Sequence, residues 1–267
     1  MRHARRLLGA IVAAAAASAC SEVGTDPDVP VAIEIVPPIL PAIAEGDTLR
    51  DTLGTVQPVL VRVLNSQNQV IPNAPVRFFS IRNDSILAVD SITGNVAGLR
   101  VGEADVVARV NGLQSIRLTM RVTPAPDTVA PASALVDSVL YGIADDTARA
   151  LAVTVLNRAT TVSGNDTIVP VPFWRVRYTI VDPPDLATNT DTTRVYIAHE
   201  ASNRLSRVDT TGTNGTNGVA TRRLRFPTAV VSDLTRRTFV TEVVVLAPDG
   251  SHVAGSPLLF TTVIRVR

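Results

Sequence analysis

The stretch Val89 to Gly112, VDSITGNVAGLRVGEADVVARVNG, constrains this chain more than any other. It reads as strand, turn, strand, turn, strand. Thr93-Gly94-Asn95 and Val101-Gly102-Glu103 supply the turn chemistry, because glycine reaches positive φ without steric cost and asparagine tolerates it. Val96, Val106, Ala108 and Val110 are separated by smaller or polar residues, the period-2 pattern of strands buried on one face. Outside the N-terminus no useful helical period appears, so the expected class is all-β.

The pattern continues in both directions. Val31 to Val36 alternates and predicts the first strand, which Pro37-Pro38 and Pro41 end because proline donates no ladder hydrogen bond. Gln57 to Leu64 predicts a strand with Val59, Val61 and Val63 on one face, Asn65 to Pro75 a polar hairpin loop, and Val76 to Ile81 the next strand. A second copy of this order follows. Val61-Arg62-Val63-Leu64-Asn65 matches Val153-Thr154-Val155-Leu156-Asn157, Val76-Arg77-Phe78 matches Val176-Arg177-Tyr178, and Val89-Asp90 with Val96-Ala97 matches Val208-Asp209 with Val219-Ala220. Asn65 to Val76 spans 11 positions and Asn157 to Val176 spans 19, so the second loop is longer by eight. Turns absorb such insertions at small entropic cost.

The Val-Asp, Gly-Asn-Val-Ala, Gly-Glu-Ala order ending in a valine strand and Asn-Gly resembles the end of a bacterial immunoglobulin-like domain of group 2. In the second copy, Val208-Asp209-Thr210 to Asn217-Gly218-Val219-Ala220-Thr221 resembles group 1 of the same families, the invasin and intimin type. The resemblance implies two tandem immunoglobulin-like β-sandwich domains, used as rigid spacers or ligand-binding tips at cell surfaces, with no scaffold residue doing chemistry.

At the N-terminus, Arg2, Arg5 and Arg6 precede an apolar run and Ala17-Ser18-Ala19, the layout of a cleaved secretory signal over 1–19. The uncharged run from Leu7 to Ala19 is too short to cross a bilayer, which takes ~20 helical residues. Ser18-Ala19-Cys20 resembles a bacterial lipoprotein box and differs from it at Ala17, where leucine is commoner. The resemblance implies lipidation at Cys20, a membrane partner through that lipid, and a place in the envelope, at the outer membrane or cell surface. The alternative is a secreted or periplasmic soluble protein. The expected domains are then a tether at 20–30, a first module at 31–123, a Pro-rich linker at 124–134 and a second module at 135–267.

Without the three signal arginines, 22 basic residues face 24 acidic ones, a net charge of −2. Nucleic acid is therefore not an expected partner. Cys20 is the only cysteine, so the modules must be held by packing without disulfides.

No catalytic motif is found, and the expectation is a protein that is not an enzyme and carries no cofactor or metal. His199-Glu200-Ala201-Ser202-Asn203 begins like a zinc-protease helix but has Asn203 where the second histidine belongs. Ser251 and His252 lie beside the Pro248-Asp249-Gly250 turn without a nucleophile elbow. Asp209 to Gly218 offers calcium one carboxylate, too few for six to eight oxygens. Two surfaces remain as candidates. Phe173 and Arg175, expected to point outward, flank Trp174, whose period-2 register with Val176, Tyr178 and Ile180 favours the core over a sugar-stacking platform. Arg222, Arg223, Arg225, Arg236 and Arg237 form a basic cluster for an anionic partner, with Arg222 to Arg225 expected on an exposed strand. The functional expectation is a spacer or adhesion module that meets protein or glycan at the surface. The alternative is a carbohydrate-binding module or an accessory subunit of an envelope complex.

Overall fold

The computed structural model describes residues 28–39, 42–82, 84–141, 147–160, 166–212, 218–227 and 238–266. The signal segment and Cys20 lie outside these residues, as do Arg236 and Arg237.

The first module contains β1 (Ala32–Val36), β2 (Ala42–Ala44), β3 (Leu60–Leu64), β4 (Arg77–Arg82), β5 (Leu87–Val89), β6 (Val96–Gly98), β7 (Gly102–Val110), β8 (Leu113–Gln114) and β9 (Leu118–Thr123). The second contains β10 (Thr128–Pro131), β11 (Val136–Tyr141), β12 (Thr147–Thr160), β13 (Asp166–Pro170), β14 (Arg175–Asp182), β15 (Tyr196–His199), β16 (Val208–Thr210), β17 (Val219–Phe226), β18 (Thr238–Val244) and β19 (Leu258–Val266). One turn of 3₁₀-helix, Pro184–Leu186, is the only helix among the described residues. The protein is all-β, as its periodicity predicts.

In the first module β2-β9-β7-β4 form one sheet, with β8 on β7, while β1-β3 and the β5-β6 hairpin pair separately. Val96, Val106, Ala108 and Val110 are all buried, so the organising stretch delivers its predicted face to the core. Glycine is required at its turns. Gly94 has φ +73°, and a Cβ there would stand 2.9 Å from the Phe78 ring. At Gly102, φ +154°, the Ile86 side chain would lie 2.6 Å away.

The second module stacks β10-β12-β17-β15, with β13 on β12, over β11-β19-β18-β14-β16. That order is immunoglobulin-like: β10, β12, β17 and β15 lie in the order A-B-E-D of one sheet, and β14, β18 and β19 in the order C-F-G of the other. Between the sheets lie Val153 and Val155 of β12, Val176, Tyr178 and Ile180 of β14, and Phe226 edge-on to Phe239 at 5.3 Å. Burying each such valine fully stabilises the module by roughly 1.5–3 kcal/mol.

The repeat is visible in the pairing. In each module a short strand enters parallel to the last one, Ala42 opposite Arg121 and Val136 opposite Thr261. Two of the three matched segments fall on equivalent strands, β3 with β12 and β4 with β14, whereas β5 pairs with β6 and its match β16 pairs with β14 instead of β17.

The junction departs from the expected linker. Thr128–Pro131, inside the stretch 124–134, is β10, antiparallel to β12 from Thr128 opposite Leu156 to Pro131 opposite Val153. The second sandwich therefore begins at Thr128 instead of residue 135. Prolines favour extended backbone, and an extended segment beside an open strand edge pairs with it. Only Pro124 to Asp127 separate β9 from β10. Asn157 Nδ2 donates to Ala125 O at 2.7 Å, and Arg158 N donates to Asp127 Oδ2 at 2.7 Å. The second core includes Ala44 at the end of β2, and Ala125, Ala247 and Leu258 pack against it.

Candidate functional site

Trp174 is 5% exposed and belongs to the core, with its Nε1 donating to Leu246 O at 2.9 Å. The ring offers no open face for a sugar. Its backbone is held by Thr211, whose hydroxyl accepts from Trp174 N at 2.8 Å and donates to Val171 O at 2.6 Å. Phe173, expected to point outward, is half-buried and held at φ +59°. A bulky residue in the left-handed region is a strained one. Here it turns the chain so that Phe173 N and Trp174 O both meet Thr211.

The basic cluster is not an exposed strand edge. β17 lies between β12 and β15, with Ala220, Leu224 and Phe226 facing the core. Arg222 shares that parity and is buried, paired with Asp209 Oδ1 at 2.8 Å and donating to Val208 O. Arg225, on the other face, is buried and donates to Asn203 Oδ1. Arg223 alone of these three is exposed. Expectation failed here because charge marks an edge strand only when the strand is an edge.

The histidine readings resolve in the same way. His199 ends β15, a strand, so the helical spacing a zinc site needs is absent, and its Nδ1 accepts from Ala201 N at 3.2 Å. Ser251 Oγ donates to Asp249 Oδ1 at 2.7 Å, while His252 Nδ1 faces Ser256 Oγ at 3.2 Å. Serine and histidine thus have separate partners. Asp209 is committed to Arg222 and to Thr221 N, at 2.7 Å to its second oxygen. Among the described residues no group of three His, Cys, Asp or Glu side chains is placed to hold a metal.

Arg175 leads to a site built by both modules. Instead of pointing into solvent it reaches toward the first module and is 22% exposed. Its terminal nitrogen lies 3.9 Å from Asp47 Oδ2, and its guanidinium carbon lies 5.1 Å from the Trp174 ring centre. Burial pulls its pKa below the usual arginine range, an effect that Asp47 opposes. The other oxygen of Asp47 accepts from Arg50 Nε at 2.8 Å and from Thr48 N at 2.8 Å. Arg50 also donates to Gly54 O at 2.9 Å. Around these groups opens a cleft of about 240 Å³, lined by Arg50, Leu53 and Gly54 from one module and Trp174, Arg177 and Leu246 from the other. Sequence reasoning marked Arg175 and missed Asp47 and Arg50, since nothing local joins residues so far apart in the chain.

No protein-family model matches the chain, and no curated protein matches it. Solved structures do resemble it. Domains 4 and 5 of the S-layer protein SbsC share 13% identity, covering 88% of this chain and 98% of that one at a TM-score of 0.31. The Yersinia pseudotuberculosis adhesin InvE shares 18%, covering 88% of this chain and 58% of its own at 0.32. The Clostridium thermocellum CbhA fibronectin(III)-like modules share 12%, covering 88% and 95% at 0.34. At such TM-scores the likeness decides nothing, and the immunoglobulin-like fold rests on the strand pairings themselves.

Proposed function

We propose that this chain is a non-catalytic envelope protein, tethered to a membrane by lipid on Cys20, in which two immunoglobulin-like modules act as a spacer or interaction element. The observation that supports it is the junction. With Asp127 and Ala125 hydrogen-bonded to the second module and Ala44 in its core, the first module presents the second in a set orientation, which is what a stalk requires. The burial of Trp174 favours this reading over carbohydrate stacking. A surface partner, protein or glycan, is expected on the second module, the one farther from Cys20, at segments 158–170 and 203–218 and at the exposed Arg223.

Small-angle scattering of the mature chain tests the junction: one conformation should fit the curve, and a need for an ensemble of inter-module angles would refute the stalk. Intact mass of native protein tests the anchor. A diacylated, N-acylated Cys20 terminus is expected. An unmodified mass beginning at Cys20 would leave a secreted protein.

A further inference from the structure

We propose that the cleft between the modules binds a small organic carboxylate through Arg175 and Arg50. The charge arrangement carries this. Asp47 is the carboxylate within ion-pair distance of both guanidinium groups, with Asp51 adding a more distant negative charge, and the allocation is unequal: Arg50 holds a 2.8 Å charged hydrogen bond, while Arg175 sits at 3.9 Å. Arg175 makes no hydrogen bond to any described residue, although its planar fork carries five donors. Its donors still reach the water of the cleft, and a carboxylate approached in bidentate fashion is the group whose geometry best replaces that water. Arg177, exposed on the same wall, adds a further positive charge.

The cleft also has a shape suited to such a ligand. Its volume of about 240 Å³ leaves room for a carboxylate on a body the size of a monosaccharide. The wall behind is apolar, made by Val244, Leu246 and the edge of Trp174. A neutral sugar would gain nothing from the excess of arginine over carboxylate at the cleft. Two sources present the same chemistry, a free organic acid and the uronate residue of an envelope polysaccharide. The inference stands on the cleft alone and is independent of the lipid anchor.

Trp174 is the only tryptophan in the chain and lines the cleft, so its emission reports on the site. The mature chain is titrated with galacturonate, succinate and an oligogalacturonate, with galactose and sodium chloride at matched concentrations as controls, and calorimetry provides a second readout. Saturation by the acids is expected with a Kd on the order of 1 mM, the affinity a small, partly solvated ligand supports. Succinate as the tighter ligand identifies a free acid, and oligogalacturonate as the tighter ligand identifies a glycan source. Arg175→Gln should weaken binding by about tenfold or more, the weight of a charged hydrogen bond. Arg50→Gln, confined to the first module, should do the same and replaces that variant if it does not fold. Asp47→Asn keeps the acceptor for Thr48 and removes the competing charge, so it should tighten binding. Arg223→Gln, distant on β17, should change nothing. Absence of saturation by all three acids, equal responses to galactose and galacturonate, or tighter binding by Arg50→Gln would overturn the proposal.

Discussion

In the first module Asp90 follows β5 and folds its carboxylate back onto its own turn, accepting from Ile92 N and Thr93 N at 2.8 Å each. Its counterpart Asp209 sits within β16 and pairs with buried Arg222 across the module. The strands around the two acids differ accordingly. β5 closes a hairpin with β6, whereas β16 leaves its sequence neighbour β17 and pairs with β14 in the opposite sheet. Lengthening the connection before β17 is cheap in entropy, but it frees the preceding strand to change sheets. Once it has changed, its acid lies over an inward-facing arginine, and the module depends on a buried charge pair where the first depends on a solvated turn.

The largest expected effect breaks this contrast directly. Asp209→Ala leaves Arg222 buried without its counter-ion, at a cost of about 3–5 kcal/mol. Asp90→Ala should cost much less, since its turn faces water. Hydrogen exchange read module by module distinguishes them, and equal losses would show that the two acids do equivalent work.

Tyr178 sharpens the comparison. The first module has Phe78 at this place, and Tyr178 is fully buried with no hydrogen-bond partner for its hydroxyl. Tyr178→Phe should therefore stabilise the protein by about 1–3 kcal/mol in chemical denaturation. Burial, aided by the charge of Asp209, pushes the Tyr178 pKa well above the usual phenol value. Only the unfolded chain then ionises readily, so this stability is fully present below pH ~10 and is lost as pH rises from there toward the folded-state value. The phenylalanine variant should lose less stability over that range, and an unchanged alkaline limb would show that Tyr178 titrates alike in both states.

The junction comes next. Asn157→Ala removes the hydrogen bond to Ala125 and should cost about 1 kcal/mol. In the parent protein, limited proteolysis should spare Pro124 to Pro131, because this segment is paired. Cleavage there as the first event would mean that the modules are joined flexibly after all.

The smallest effect concerns acid. Hydrogen bonds from the Thr93 and Ile92 amides hold the Asp90 pKa below its ordinary value. Its stabilisation is present above the unfolded-state pKa and is lost as pH falls through the folded one. Asp90→Asn should flatten that acid limb slightly. No change in its slope would mean that the turn contributes nothing beyond its backbone.

Local pattern was enough for the features that depend on neighbours in sequence. The strands from β5 to β7, their glycine turns, the duplication and the burial of Trp174 all follow from period-2 spacing and turn chemistry. Reading failed where a residue's surroundings come from another strand. Arg222 and Arg225 look like a solvated patch because charge in a strand usually faces water, yet β12 and β15 enclose β17 on both sides. Thr128–Pro131 looks like a linker because proline usually marks one, yet the edge of β12 takes it up as a strand.

The amino-acid sequence by itself determined that this protein is all-β, duplicated and free of internal disulfides, since alternation, turn glycines and cysteine count are local or compositional properties. The tertiary structure alone decided which strands became central, which arginines lost their water and which residues from the two modules came to share a cleft. Strand pairing joins segments by backbone hydrogen bonds that any side chain permits, so the partner of a strand is set by loop length and core packing across the whole module. Arg175 illustrates the division: its place on β14 is written in the alternation of its own strand, and its proximity to Asp47 exists only once both modules have folded.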